Sequence, residues 1–240
     1  MEDLVARLRG ARSVLALTGS GISAESGLPT FRGVGGLWRN HRVEELASPE
    51  GFDRDPILVW NWYNQRLAAH RRARPNAGHD ALAQLETHYS DFTLATQNVD
   101  SLHLRAGSRN VIELHGSLRE ARCTGCGLRR ALDGFGLPLE EIEHGCGGRM
   151  RPDVVWFGES LPRAAWSRAE QAASRAEVIL VIGTSALVYP AAALATCNRR
   201  AYVAEINPEE TPISGGVDCV VRGTAARELP HIAAALRAGT

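Results

Sequence analysis

The chain has 240 residues, and its 27 basic and 27 acidic side chains cancel to a formal net charge of zero. Hydrophobic residues make up 44% and charged residues 22%, as in a folded globular chain, and the balanced charge argues against binding to polyanions or to a membrane surface. The length allows one large domain, or a large one with a small companion.

Residues 2–9 place Leu4, Val5 and Leu8 on one face, a short amphipathic helix. Charges there interrupt any secretory apolar core. The longest apolar run in the most buried-looking stretch, residues 178–182, falls far short of the roughly 20 residues of a membrane span, so a soluble, cytoplasmic protein is expected. Residues 13–18, SVLALT, form an apolar run too short for a helix and end in glycines, which reads as a buried parallel strand. Runs of the same kind recur at 91–96, 110–114, 177–182, 201–206 and 218–221, with helical stretches between several of them. That alternation is α/β with a mostly parallel sheet.

Two segments break the alternation: residues 33–76, rich in tryptophan and basic residues and containing a helix expected from near Pro56, and residues 119–152, rich in glycine and cysteine. Both read as insertions that form a smaller domain, leaving 1–32, 77–118 and 153–240 to the sheet domain. Of five cysteines, Cys123, Cys126 and Cys146 cluster, which suggests a metal module in a reducing compartment rather than a disulfide framework.

After the first strand, Gly19, Gly21 and Ala24 satisfy G-x-G-x-x-G/A, a turn that lets backbone N–H groups approach a pyrophosphate at a helix N-terminus. A dehydrogenase would need a second strand ending in an acid about twenty residues later. The corresponding stretch, residues 38–45, shows no strand pattern.

The motifs TGSGISAESGLPTFR (18–32), TQNVD (96–100), IELHG (112–116), VVWFGE (154–159), GTS (183–185) and INPE (206–209) together resemble the sirtuins, NAD-dependent protein lysine deacylases, over nearly the whole chain. The resemblance implies a Rossmann-like NAD-binding domain beside a composite small domain made of a helical insertion and a zinc-ribbon-like module. It also implies that acyl groups move from lysine to ADP-ribose with release of nicotinamide. His115 would be the general base, suited to it by an unperturbed pKa near 6.5. Asn98 would orient the ribose or a water, Asp100 would bond the nicotinamide amide and Gln97 the ribose. Gly19, Ser20, Gly21, Ala24, Glu25, Trp38, Gly183, Thr184 and Ser185 would hold the cofactor, with Phe31 and Arg32 over it on a mobile loop and Asn207, Pro208, Glu209 and Ala225 on its adenosine side. Ser20 stands where the family usually has alanine. Val154, Val155, Trp156 and Phe157 would pair with an extended substrate peptide.

Tyr63 and Arg66, three apart on the helix expected from Pro56, resemble the Tyr-x-x-Arg signature of class III sirtuins, similar to bacterial and mitochondrial desuccinylases. Their chemistry suits a succinyl or malonyl carboxylate, which an Arg fork and a phenol can hold by charge-assisted hydrogen bonds; an acetyl group gains nothing from them. Val34 stands where that branch usually has alanine. For zinc, the resemblance supplies Cys123, Cys126 and Cys146, the last at the place of the family's final ligand, while Glu143 and His144 occupy the place of the missing third cysteine; His144 would complete a Cys₃His set. The competing classes are a zinc-ribbon module binding nucleic acid through Arg129, Arg130, Arg149 and Arg151, and an NAD-dependent dehydrogenase. Acylated protein lysines are the expected partners, with neither nucleic acid nor membrane among them.

Overall fold

The computed structural model describes residues 1–30, 37–38, 41–132 and 136–238. In chain order, helix α1 (Glu2–Gly10) leads to strand β1 (Ser13–Thr18) and a 3₁₀ turn (Ser20–Ser26); then come β2 (Leu37–Trp38), β3 (His41–Arg42), α2 (Val43–Leu46), α3 (Pro49–Arg54), α4 (Pro56–Arg72), α5 (Ala77–Glu86), β4 (Asp91–Thr96), α6 (Leu102–Arg105) and β5 (Val111–Glu113). Next are β6 (Gly116–Cys123), β7 (Arg129–Ala131), β8 (Met150–Val154), α7 (Arg163–Arg175), β9 (Val178–Ile182), β10 (Tyr202–Ile206), β11 (Cys219–Val221) and α8 (Ala225–Arg237).

Each expected apolar run is a strand of one parallel sheet, ordered β11-β10-β9-β1-β4-β5. The chain builds outward from β1 through β4 and β5, then returns to the other side of β1 for β9, β10 and β11. The order therefore reverses between β1 and β9, where a crevice opens at the strands' C-terminal ends. One core joins one face of the sheet to α1, α5 and α8, and the other face packs on α7. Fully buried strands such as β9, VILVI, need apolar side chains on both faces, which is why they read as continuous runs.

A separate antiparallel sheet, β7-β6-β8, shares a third core with α3 and α4: Phe52, Trp60, Trp62 and Tyr63 pack with Ala121, Cys123, Met150 and Trp156. Hydrogen bonds tie the two insertions together, from Trp60 Nε1 to the Met150 carbonyl at 2.7 Å and from Asn64 Nδ2 to the Leu137 carbonyl at 3.0 Å. Helix α4 starts where expected, with Pro56 at its first turn and Asp55 accepting the Leu58 N–H at 2.8 Å.

Two local expectations are corrected. Residues 37–42 hold a two-strand antiparallel pair, β2 with β3, although its two-residue strands are too short to leave a periodic signal and it does not join the parallel sheet. The glycine-rich turn continues as a 3₁₀ segment closed by Gly27 in the left-handed region (φ 82°), not as an α-helix.

Candidate active site

The turns after β1 and β9 meet across the switch point. The Gly19 N–H donates to the Ile182 carbonyl at 3.0 Å and the Gly21 N–H to the Gly183 carbonyl at 2.8 Å. A Cβ on Gly19 would lie 2.8 Å from Thr184 Cα, and one on Gly21 would lie 2.7 Å from the Gly183 oxygen. The glycines are required by this approach of backbone to backbone.

Below the junction lies a cavity of about 540 Å³, a size typical of small-molecule sites. The first turn lines it with Gly19, Ser20, Gly21, Ala24 and Glu25; the β9 turn with Gly183, Thr184 and Ser185; and the far end with Asn207, Pro208, Glu209 and Ala225. Gln97, Asn98 and His115 enter from the ends of β4 and β5, Tyr63 and Arg66 from α4, and Val154, Val155, Trp156 and Phe157 from the end of β8. Asp100 stands behind this lining. Phe31, Arg32 and Val34 lie outside the described residues, and Trp38 is described only as a backbone position in β2.

His115 Nδ1 lies 3.0 Å from the Gln97 carbonyl oxygen. A carbonyl can only accept, so Nδ1 carries the proton and Nε2 keeps a lone pair. Burial pulls the imidazole pKa below its ordinary value, and the Gln97 carbonyl opposes the shift only in part. The ring is thus a neutral base at cellular pH. Gln97 also donates from Nε2 to Thr184 Oγ1 at 2.9 Å, joining the two sides of the cavity.

Behind the lining runs a buried polar chain that joins Asn98 and Asp100 to side chains the sequence reading gave no role. Asn98 Nδ2 donates to the Gly19 carbonyl (3.1 Å) and to Ser23 Oγ (3.3 Å), while Ser23 Oγ donates to Asp100 Oδ2 (2.7 Å) and lies 3.5 Å from His79 Nε2. Asp100 Oδ1 accepts the Leu102 N–H at 2.9 Å, and burial raises its carboxyl above the usual range. Thr18 Oγ1 donates to Thr96 Oγ1 (2.8 Å) and contacts His103 Nε2 (2.9 Å); Thr96 Oγ1 also accepts the Asn98 N–H (3.1 Å). Burial depresses His79 to about 4 and His103 to about 3, so both are neutral links; the Asn98 side-chain amide is held by two hydrogen bonds and its backbone N–H by a third. Thr18, Ser23, Thr96, Asn98 and Asp100 fall inside the motifs at 18–32 and 96–100, whereas His79 and His103 stand outside every motif read from the sequence.

The loop at the far end is clamped from β10. The buried Glu205 carboxylate accepts from Thr211 Oγ1, from Ser214 Oγ at 2.5 Å and from Arg222 Nη1 at 3.3 Å, and Arg222 donates onward to the Glu209 carbonyl at 2.7 Å.

The segment expected to pair with a peptide already commits its donors inside the chain. Val155 N–H goes to the His115 carbonyl (2.8 Å), Trp156 N–H to Glu159 Oε2 (2.8 Å) and Phe157 N–H to the Ala47 carbonyl (2.9 Å). The Trp156 side chain is buried against Phe52 and beneath the Arg151 guanidinium, and its Nε1 donates to the Tyr63 hydroxyl at 2.8 Å; Phe157 alone of the four side chains is exposed.

Away from the cavity, Cys123, Cys126, His144 and Cys146 bring four ligand atoms within 4.8 Å of one another. His144 Nδ1 lies 3.1 Å from Cys146 Sγ, 3.5 Å from Cys123 Sγ and 3.7 Å from Cys126 Sγ, and the Cys123 and Cys146 sulfurs are 3.4 Å apart. Tetrahedral zinc with bonds of 2.0–2.3 Å has ligand edges of about 3.5–3.7 Å, so the set fits. Glu143 is exposed and engaged by Arg149 Nε at 3.0 Å, which leaves His144 as the fourth ligand. The wild type is expected to bind one zinc ion per chain, and replacing His144 with alanine to lower both the bound zinc and the melting temperature, as metal analysis and thermal unfolding would report.

Comparison with known proteins agrees with this geometry. A model of the Sir2 family matches residues 19–190. The chain is 50% identical over 230 residues to NAD-dependent protein deacylase 2 of Pyrobaculum aerophilum, covering 94% of this chain and 91% of that one. A solved Sir2 homologue–NAD complex superposes with a TM-score of 0.93 at 46% identity, covering 100% of this chain and 94% of the other. A Sir2 complex with EX-527, 2'-O-acetyl-ADP-ribose and a deacetylated p53 peptide superposes with 0.84 at 30% identity, covering 97% of each. Because the family match runs from the glycine-rich turn to the loop beyond β9, and half the residues are shared with a relative over almost the full length, this chain is a member of the Sir2 family.

Proposed function

We propose that this Sir2-family chain removes acyl groups from protein lysine side chains at the expense of NAD, with a preference for acyl groups that end in a carboxylate. The observation that carries the reading is the His115 ring, held through Nδ1 by the Gln97 carbonyl so that a basic Nε2 remains, in one cavity with the paired glycine turns and with Tyr63 and Arg66. Bound NAD supplies the sugar carbon from which nicotinamide leaves and the hydroxyl that receives the acyl group.

The chain's part is positioning and proton transfer. Backbone of the Gly19–Gly21 and Gly183–Ser185 turns cradles the phosphates and ribose, Asn207, Pro208 and Glu209 flank the adenosine, and the pinned Asn98 amide orients the ribose or a water. His115 Nε2 takes the proton from the sugar hydroxyl. Asp100, behind the lining, steadies Ser23 and hence Asn98. Tyr63 and Arg66 form the acyl end: burial pushes the Tyr63 phenol up to about 12, so it stays protonated and donates, while the Arg66 guanidinium supplies the charge. The acylated protein is expected to pass along residues 154–157, with Phe157 exposed to it. The zinc set, far from the chemistry, fastens the small domain, which we take as residues 33–76 with 119–152.

Mass spectrometry of succinyl-, malonyl- and acetyl-lysine peptides incubated with and without NAD tests the reading. Loss of acyl mass only with NAD, fastest for the acidic acyl groups, is expected. Deacylation without NAD, or reduction of NAD to its absorbing form, rejects it.

A further inference from the structure

The Tyr63 hydroxyl is not a neutral bystander awaiting substrate. Its oxygen accepts the Trp156 indole N–H at 2.8 Å within the buried wall of the cavity, where both residues contribute to the lining. An indole N–H can only donate. The phenol proton therefore cannot turn toward Trp156, and one acceptor site of the phenol oxygen is already filled. What the hydroxyl still offers is a proton.

We propose that Trp156 is a positioning residue for acyl selectivity: by occupying the Tyr63 oxygen it fixes the hydroxyl as a donor aimed at the carboxylate of a succinyl or malonyl group beside Arg66. The inference rests on the acidic-acyl reading above. A hydrogen bond received at its oxygen also polarises the phenol and strengthens the bond it gives.

Trp156 is itself held firmly. The Arg151 guanidinium carbon lies 3.3 Å from the centre of the Trp156 rings, and Arg151 forms a two-pronged pair with Glu159, Nη1 to Oε1 at 2.5 Å and Nη2 to Oε2 at 2.9 Å. Glu159 Oε2 accepts the Trp156 backbone N–H, and the Phe52 ring lies 5.3 Å away. A phenylalanine at 156 keeps the ring, the stacking and the backbone bond. It loses only the indole N–H and part of the volume, and the phenol can then rotate or accept.

The test is a double-mutant cycle on the full-length enzyme with saturating NAD, comparing kcat/KM for succinyl- and acetyl-lysine peptides in wild type, Trp156→Phe, Tyr63→Phe and the double variant. We expect Trp156→Phe to lower the succinyl/acetyl ratio about 5- to 10-fold, mainly through KM for the succinyl peptide, and to change it no further once Tyr63 is phenylalanine. Equal loss on both peptides, or an undiminished effect in the Tyr63→Phe background, overturns the proposal. If Trp156→Phe does not fold, 3-benzothienylalanine at position 156, which has the same shape without the N–H, gives the same readout. Arg66→Met, run in parallel, separates the two ideas: an unchanged succinyl/acetyl ratio there removes the acidic-acyl reading and this inference with it, whereas a collapsed ratio with a flat cycle removes only the role of Trp156.

Discussion

His115→Ala is expected to lower kcat on acyl peptides by about 10²- to 10⁴-fold, the range a well-placed general base contributes. Nicotinamide release from acyl peptide, followed by chromatography, gives the rate, and calorimetric titration gives NAD affinity, which should stay within a few-fold because the cradle is backbone from the two glycine turns. The wild-type pH profile supplies an independent sign. The base works only when neutral, and burial holds its pKa below the ordinary histidine value of about 6.5. Activity should therefore persist as the pH falls through 6.5 and decline only further down. An acid limb centred above 6.5, or an alanine variant with near-normal turnover, would contradict the assignment of the base.

Arg66→Met is expected to remove about 10²-fold or more of kcat/KM on succinyl peptides while leaving acetyl peptides within about threefold. The argument is one of an uncompensated charge. Arg66 sits in a desolvated environment, and burial lowers its pKa even as the nearby Tyr63 and Asp100 oppose the shift. A carboxylate entering that wall without a cation loses its hydration and gains one phenol bond, and breaking a buried pair in this way costs about 3–5 kcal/mol. Methionine retains a flexible apolar stem to pack against Trp62, over which the guanidinium now lies at 5.1 Å. Acetyl substrates never reach for the charge, so they report whether the fold survives. Steady-state rates on both peptides measure the split, and equal loss on both would make Arg66 structural.

What the sequence disclosed, and what it withheld, follows the range of the interactions concerned. The six parallel strands were legible because burial on both faces demands continuous apolar runs such as VILVI, and the glycine turn because only glycine fits where Gly21 meets Gly183. His115, Asn98 and the lining residues were located by motif. The small sheet was not read as strands: β6 begins at Gly116 and β8 ends at Val154, each overrunning the expected insertion limits, and exposed β7, Arg129–Ala131, carries no apolar alternation. The choice between Glu143 and His144 hinged on Arg149, which draws Glu143 away. Ser23, His79 and His103 went unnoticed because their partners come from distant segments, and the turn of the Trp156 indole toward Tyr63 depends on residues 93 positions apart. Side-chain direction set by such partners leaves no periodic trace along the chain.

The third core has a consequence for how the molecule comes into being. Phe52, Trp60 and Trp62 leave the ribosome long before Met150 and Trp156, and in the interval α5, β4 and β5 emerge, themselves lacking β9 to complete their neighbour β1. The third core cannot close before Trp156, about two thirds of the way along the chain, and the parallel sheet cannot close before β9, about three quarters of the way. No continuous fragment can be excised as an independent small domain, and gene fusions that divide the chain anywhere between residues 60 and 150 would separate both halves of that nucleus at once.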